Sequence, residues 1–240
     1  MEMNYKKVRN NIWQIEDDNG VYCTLIKGSK LAILWDTGYG NNNIKDFVEN
    51  NIDTDYIVMN SHGHPDHCGG NDQFKIIYAN KDEWDVIEHF TLEEKGKKIE
   101  YELREVKIGQ VYDLGDMHLK VISMEGHTKG SIGLLIEEER ILLSGDAINE
   151  GLWMFNYGAL SIETLKNMLE RLKSEPFDTY LCGHCDCECQ RKIVDAHLNN
   201  ISNLIVDEKT KCTTIGFKTY ISTYEGTEGK SVITFSKDLI

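Results

Sequence analysis

Two successive series of short apolar runs, rich in β-branched residues and flanked by turn-forming residues, dominate the chain. Runs of this length and composition predict β-strands. The first series is Ile12–Ile15, Val21–Ile26, Leu31–Trp35, Tyr56–Met59 and Lys75–Tyr78. The second is Val111–Leu114, His118–Ser123, Ile132–Ile136, Ile141–Ser144 and Thr179–Cys182. Strands in this number have to bury their apolar faces in a sheet system.

Helical periodicity is clearest from Ser161 to Lys173, where five apolar side chains fall on one face and the first residue is a candidate N-cap. A second helix is predicted from about Cys189 to Val206. The C-terminal residues predict a strand pair, Ile215–Tyr220 and Ser231–Phe235, around a turn at Glu225–Gly229. Strands with helices between and outside them predict a sheet sandwich flanked by helices, although propensity leaves the topology open.

Nothing in the sequence divides the chain into separate domains. Only two prolines occur, Pro65 and Pro176, and no low-complexity linker is present. We therefore predict one domain over residues 1–240. Residues 80–108 are rich in Glu and Lys and predict a solvated helical insertion, and residues 189–240 are expected to add the C-terminal helix and strand pair.

The charge balance bears on partners and location. The chain has 26 basic and 40 acidic residues, a formal net charge of −14, which disfavours binding to nucleic acid. No apolar run approaches the roughly 18 residues of a membrane span, and the N-terminus lacks the apolar core of a signal peptide. These features predict a cytoplasmic protein without membrane contact that acts on a small molecule. The seven cysteines are an odd number, and we interpret them as reduced thiols or metal ligands.

The most informative segment is Asn60-Ser61-His62-Gly63-His64-Pro65-Asp66-His67, directly after an apolar run. Gly63 and Pro65 argue against an ordinary helix here, so we expect a loop. Neutral imidazole and carboxylate are the ligands that a borderline cation such as Zn²⁺ takes. A loop that projects these side chains in two directions could serve two adjacent metal ions.

Three more ligand-type residues follow apolar runs in the same way, and each comes directly after a glycine: His127, Asp146 and His184. A glycine at these points allows the sharp turn that presents a side chain at the end of a strand. Because strand ends from one sheet system converge, the three residues are plausible ligands of a single site together with His62–His67.

The ordered motifs His-x-His-x-Asp-His, Gly-His-Thr, Ser-Gly-Asp and Gly-His resemble those of the metallo-β-lactamase-fold hydrolases, a superfamily that includes glyoxalase II. Trp35-Asp36-Thr37-Gly38 resembles the family's Asp-Thr-Gly turn. The resemblance implies an α/β fold, the single-domain αββα sandwich. It also implies ligand roles: His62, His64 and His127 for a first metal ion, Asp66, His67 and His184 for a second, and Asp146 as a bridge. Asp36 would steady the histidine loop from outside the ligand shell.

The resemblance further implies a hydrolase in which two divalent ions produce a bound hydroxide that attacks a carbonyl carbon of an ester, thioester or lactone. Zn²⁺ is favoured, and iron and manganese accept the same donors. Asp66 is the predicted catalytic residue, which orients the nucleophile and carries a proton. Two other enzyme functions stay open: a mono-iron oxidoreductase similar to persulfide dioxygenases, and a phosphodiesterase or nuclease of the same fold. A scaffold with a relict site is disfavoured because the ligand set is intact.

Several residues near these motifs have no settled role. Cys182, Cys185, Cys187 and Cys189 surround His184 where the family has Gly-His-Gly, and they fit either an extra metal or redox site or plain reduced thiols. Cys68 could approach the second ion. The aromatic segment Gly151–Tyr157 could line the substrate pocket or pack in the core. His89, His118 and His197 have no comparable context and are assigned to no site.

Overall fold

The computed structural model describes residues 3–240, which form three β-sheets and five α-helices. The first half of the chain builds a seven-stranded sheet in which the strands follow one another in chain order. These strands are β1 Tyr5–Arg9, β2 Ile12–Glu16, β3 Tyr22–Lys27, β4 Leu31–Trp35, β5 Asp55–Met59, β6 Ile76–Ala79 and β7 Glu102–Glu105. Strands β1 to β4 pair antiparallel, and β4 to β7 are parallel.

The second sheet is built mainly from the middle of the chain. Its strands are β8 Val111–Asp113, β9 His118–Ser123, β10 Ile132–Ile136, β11 Ile141–Gly145, β13 Thr179–Cys182 and β14 Cys189–Gln190. They lie in the order β14-β13-β11-β10-β9-β8, and β11 and β13 are parallel. Every residue of β10 and β11 is buried, which explains why both runs are apolar without alternation.

A third sheet of four strands lies at the C-terminal side. It contains β12 Gly151–Met154, β15 Lys211–Thr214, β16 Phe217–Gly226 and β17 Gly229–Phe235, in the order β12-β17-β16-β15. The hairpin of β16 and β17 corresponds to the predicted strand pair and its turn. The sequence did not indicate β12 or β15, which pair with the two sides of this hairpin.

The helices are α1 Ile44–Asn51, α2 Pro65–Cys68, α3 Trp84–Lys95, α4 Ile162–Leu172 and α5 Ile193–Ser202. The α4 prediction is confirmed, because Ser161 Oγ accepts a hydrogen bond from the Thr164 N–H and five apolar residues of the helix are buried. Helix α5 is shorter than predicted. Its expected start, Cys189, instead pairs with Tyr180 in the second sheet.

The two large sheets pack face to face over one apolar core, in which Ile33 and Met59 of the first sheet share a cluster with Leu134 of the second. Residues of α1 and α3 pack on the outer face of the first sheet, and α4 and α5 pack on the outer face of the second. This layer order confirms the predicted αββα sandwich. Within residues 3–240, no helix is both long and apolar enough to cross a bilayer.

Candidate metal centre

The seven predicted ligands lie on loops that follow strand ends at one edge of the sandwich. His62, His64, Asp66 and His67 follow β5, and the other three residues follow β9, β11 and β13. The expected loop after β5 contains one helical turn, α2, which begins at Pro65. Proline is tolerated at the first helical position because that N–H has no partner within the helix.

The glycines before the three later ligands shape the backbone in two ways. Gly126 and Gly145 have positive φ angles of 150° and 52°, which a residue with a Cβ adopts only with strain. Gly183 has no positive φ, but a Cβ there would collide with the His67 ring. The first two glycines therefore make turns, and the third allows the β13 loop to approach the histidine loop.

Three imidazoles form the first donor group, His62, His64 and His127. In two of these rings the outer nitrogen, which points away from the other two rings, is hydrogen bonded to a backbone carbonyl. His64 Nε2 lies 3.1 Å from the Tyr157 carbonyl oxygen, and His127 Nδ1 lies 2.7 Å from the Trp153 carbonyl oxygen. A carbonyl only accepts, so these outer nitrogens carry the protons. The inner nitrogens of both neutral rings then present lone pairs.

These inner lone pairs converge on one point. His127 Nε2 lies 2.9 Å from His64 Nδ1, and His62 Nε2 is buried without a hydrogen-bond partner among the described residues. Two lone pairs at that distance repel each other unless a proton or a cation lies between them. Burial lowers the pKa of His62 well below its usual value, and burial and the nearby His127 lower the pKa of His64 to about 3. The rings are therefore neutral, and a metal cation fits them.

The second donor group contains Asp66, His67, Asp146 and His184. Asp146 lies between the two groups: its Oδ2 is 3.0 Å from His184 Nε2 and 3.9 Å from His127 Nε2, and its Oδ1 is 3.3 Å from His67 Nε2. Asp146 Oδ1 and His67 Nε2 are buried atoms without a hydrogen-bond partner among residues 3–240. This position suits a carboxylate shared by two cations.

Electrostatics distinguish the two groups. Although burial opposes it, the carboxylates of Asp146, Asp66 and Asp36 raise the pKa of His67 well above its usual value. Hydrogen bonds to Asp146 and Asp66 likewise outweigh burial and raise the pKa of His184 to about 9. A cation entering this group has to displace protons from both rings, whereas the first group is already neutral.

Asp36 supports both groups from behind. Its Oδ2 accepts hydrogen bonds from His67 Nδ1 at 2.9 Å and from Ser61 Oγ at 2.8 Å, and its Oδ1 accepts from the Ser61 N–H at 2.7 Å. Ser61 Oγ also lies 2.9 Å from His62 Nδ1. Asp36 has a φ of 64°, an uncommon conformation for a residue other than glycine, found here next to a functional site. The position agrees with the supporting role expected for Asp36.

Glu83 is a supporting residue that the sequence did not indicate. Its carboxylate accepts hydrogen bonds from the Gly63 N–H at 2.8 Å and the Gly130 N–H at 2.6 Å, and so ties the histidine loop to the segment after His127. Burial raises the pKa of Glu83 to about 7, against the effect of these donors. The residue lies in the segment expected to be solvated, and it is fully buried.

A cavity of about 1320 Å³ opens over both donor groups. Trp153, Phe155, Phe217 and Tyr157 line it, together with ligand candidates that include Asp66 and His184. The ring centroids of Trp153 and Phe155 are 5.3 Å apart, and those of Phe155 and Phe217 are 5.6 Å apart. The segment Gly151–Tyr157 therefore both lines the cavity and packs in the core: Trp153, Phe155 and Tyr157 line the cavity, and the intervening Met154 is buried in the core.

The remaining candidates lie outside the two donor groups. Cys68 is buried, and its Sγ donates to the Gly63 carbonyl at 3.2 Å. His89 stacks on Tyr157 at the cavity wall, with ring centroids 4.0 Å apart. His118 pairs with Glu138 on the surface, and His197 is buried between Ser231 and the Asn149 carbonyl. Cys185, Cys187 and Cys189 form a separate cluster.

Comparison with known proteins gives the chain its family. A hydroxyacylglutathione hydrolase of Pelagibacter ubique (strain HTCC1062) is 27% identical over 205 residues, 80% of this chain and 79% of the relative. An acyl-coenzyme A thioesterase of Homo sapiens is 24% identical over 208 residues, 70% of this chain and 74% of the relative. A metallo-beta-lactamase structure from Pontibacter korlensis matches with a TM-score of 0.67 at 15% identity, covering 85% of this chain and all (100%) of that one. The sequence model of the metallo-beta-lactamase superfamily matches residues 17–184, so this chain belongs to that superfamily, whose named relatives here are hydrolases.

Proposed function

We propose that this chain is a dinuclear metal-dependent hydrolase of carbonyl substrates, and that thioesters are its principal class. The observation that carries the proposal is the pair of donor groups that share Asp146 and open onto one cavity. The first ion would be held by His62, His64 and His127, and the second by Asp66, His67 and His184. Zn²⁺ suits this mixture of imidazole and carboxylate donors.

Asp66 is the residue proposed to handle the proton. Although burial opposes it, the charge of His67 and the hydrogen bond from His184 lower the pKa of Asp66, so its carboxylate stays ionised at neutral pH. Asp66 lines the cavity, and its Oδ2 lies 3.3 Å from His184 Nε2. Bound divalent ions would supply a lowered water pKa and polarisation of the substrate carbonyl. The ionised Asp66 would then orient the attacking water and accept its proton.

The cavity wall supports an acyl substrate. Trp153, Phe155 and Phe217 form a continuous aromatic surface beside the donor groups, which suits an apolar acyl chain placed with its carbonyl towards Asp66. One relative is named as an acyl-coenzyme A thioesterase and another as a hydroxyacylglutathione hydrolase, and these names support the choice of thioesters over oxyesters and lactones.

The test is a hydrolysis assay with the Zn²⁺-loaded chain and substrates that share one acyl group. We expect the thioester to give the highest kcat/KM, the matching oxyester and a lactone less, and a phosphodiester and a lactam little or none. Asp66→Asn should lower kcat by about 10²–10⁴-fold, the usual range for loss of a general base. Asp178→Asn, the same charge change at an exposed pair with Arg140, is the control.

Two results would contradict the proposal. A chain that carries two zinc ions yet hydrolyses no carbonyl substrate would remove the assigned reaction. Oxygen consumption with a persulfide by a chain holding a single iron would favour the oxidoreductase alternative instead.

A further inference from the structure

The loop between β13 and β14 concentrates thiols next to His184. Residues 182–189 contain four of the seven cysteines, and the described cysteines are all free thiols. The Sγ atoms of Cys185, Cys187 and Cys189 lie within 4.8 Å of one another. Cys182 is buried at the end of β13 and is not part of this group. None of these four residues belongs to the two donor groups described above.

A bend in the chain brings the sulfurs together. Cysteines at positions 185, 187 and 189 alternate with Asp186 and Glu188, and the chain bends at residues 186–187 before β14 begins, so that Cys185 and Cys187 Sγ lie 3.1 Å apart. Glu188 faces the first sheet, where its two carboxylate oxygens accept hydrogen bonds from Arg9 at 2.5 and 2.7 Å. The thiols are left together on the cavity side, where Cys185, Cys187 and Cys189 line the wall.

Side chains of the first sheet hold the loop in place. Gln14 Nε2 donates to the Cys185 carbonyl at 2.9 Å, and Lys6 Nζ donates to the Asp186 carbonyl at 2.7 Å. With the Arg9–Glu188 pair, three side chains of β1 and β2 fix the backbone that carries the thiols. A loop fixed in this way loses little conformational freedom when a ligand binds.

We propose that Cys185, Cys187 and Cys189 form a separate three-thiolate site, with a fourth position open to solvent, for a thiophilic d¹⁰ cation such as Zn²⁺. Tetrahedral zinc with Zn–S bonds of about 2.3 Å places sulfurs about 3.8 Å apart. The 3.1 Å between Cys185 and Cys187 Sγ has to open by only a fraction of an ångström to reach this geometry. Thiolates are the donors that select Zn²⁺ and Cu⁺ over hard cations.

A redox role fits the cluster less well than a metal. A disulfide would join two of the three clustered sulfurs and leave the third without a partner, whereas one cation engages all three. Cys187 is exposed and Cys185 and Cys189 are half-buried, so an ion can reach the site. Because Cys185 directly follows His184, an ion bound here would stiffen the loop that presents this ligand to the second donor group.

Cobalt substitution of the fully reduced chain tests the proposal, because sulfur-to-cobalt charge transfer reports thiolate ligands and is absent from His/Asp sites. We expect a third equivalent of Co²⁺ with this absorption. The absorption should be lost in the Cys187→Ser/Cys189→Ser double variant and kept in Cys212→Ser, a half-buried thiol elsewhere. It should also persist in His64→Ala, although that variant takes up less metal in the first donor group.

A second measurement does not depend on any variant. Thiol titration of the wild-type chain should find about three fewer reactive thiols with Zn²⁺ than after removal of metal by a chelator. Wild-type Co²⁺ protein without sulfur charge transfer would overturn the proposal. It would also be overturned if the absorption survived in the double variant and disappeared in Cys68→Ala. A third contrary result would be that the metal-free reduced chain, exposed to oxygen in the presence of Zn²⁺, forms a Cys185–Cys187 disulfide and takes up no third ion.

Discussion

Replacement of Asp36 by asparagine tests whether this buried carboxylate decides which ring nitrogen of His67, a proposed metal ligand, carries the proton. The side chain keeps its shape, but one carboxylate oxygen becomes an N–H₂ group. The fixed Ser61 N–H needs the remaining oxygen as its acceptor, so the amide nitrogen faces Ser61 Oγ and His67 Nδ1. Ser61 Oγ has lone pairs that can accept this donor. His67 Nδ1 can accept it only by moving its proton to Nε2, the atom that faces the second donor group.

The expected cost follows from that proton shift. With Nε2 protonated, His67 loses its lone pair towards the cation, and outer-shell changes of this kind lower metal affinity by about 10–100-fold, or roughly 1.4–2.7 kcal/mol. Loss of the Asp36 charge also reduces the pKa elevation of His67, which eases proton displacement. That opposing effect is the smaller one, because Asp146 and Asp66 act more strongly than Asp36 on the same ring.

Competition with a chelator at neutral pH measures the two binding steps separately. We expect the second Zn²⁺ of Asp36→Asn to bind about 10–100-fold more weakly. The first Zn²⁺ should bind nearly as in the wild type. The outer nitrogens of His64 and His127 keep their carbonyl partners, and the second lone pair of Ser61 Oγ can still accept from His62 Nδ1. Asp178→Asn is again the control. Equal weakening of both steps, or a second step within a factor of about three of the wild type, would refute the tautomer explanation.

Three other predictions concern the pH dependence of stability, the packing of Gly183 against the His67 ring, and the charge of the residues that line the cavity. Burial lowers the pKa of His197 from 6.5 to about 4, so the stability that the neutral ring contributes is complete above pH 6.5 and falls by about 2 kcal/mol on acidification to about pH 5. Urea unfolding of His197→Gln should therefore show a smaller loss of unfolding free energy over this pH range than the wild type. Equal losses in the two proteins would contradict this. Gly183→Ala places a Cβ on the His67 ring and should weaken the second Zn²⁺ at least about tenfold in chelator competition, whereas Gly151→Ala, which meets open space, should not. Apart from Glu188, which pairs with Arg9, the residues that line the cavity include four glutamates and two lysines. An acyl-N-acetylcysteamine should therefore have a higher kcat/KM than the acyl-coenzyme A with the same acyl group, and added salt should reduce this difference in kcat/KM. A difference that does not depend on salt would argue against the charge effect.

The parts of this structure that were predictable are those encoded locally. The apolar runs give strand positions, and the glycine before His127, Asp146 or His184 marks where a strand ends and a side chain is presented. The convergence of strand ends then brings the seven residues together. The αββα order came from resemblance, because pattern alone left the topology open.

The parts that were missed depend on contacts between distant segments. Glu83 lies in a charged stretch, and only the Gly63 and Gly130 N–H groups explain its burial. Strand β12 forms because it pairs with β17, whose partner residues follow 81 positions later, and no local pattern reveals this pairing. The meeting of the cysteine sulfurs likewise depends on the β13–β14 hairpin and its anchoring by the N-terminal strands.

Each donor group draws on loops from both large sheets. In the proposed assignment, the first ion joins the loop after β5 to the loop after β9, and the second joins it to the loops after β11 and β13. The ions would thus act as cross-links between the two halves of the sandwich. Such a link adds RT ln(1 + [L]/Kd) to stability, about 2.7 kcal/mol when free metal is a hundredfold above Kd. Metal starvation would therefore shorten the lifetime of the folded chain as well as stop its turnover, since an apo sandwich opens more often to proteases.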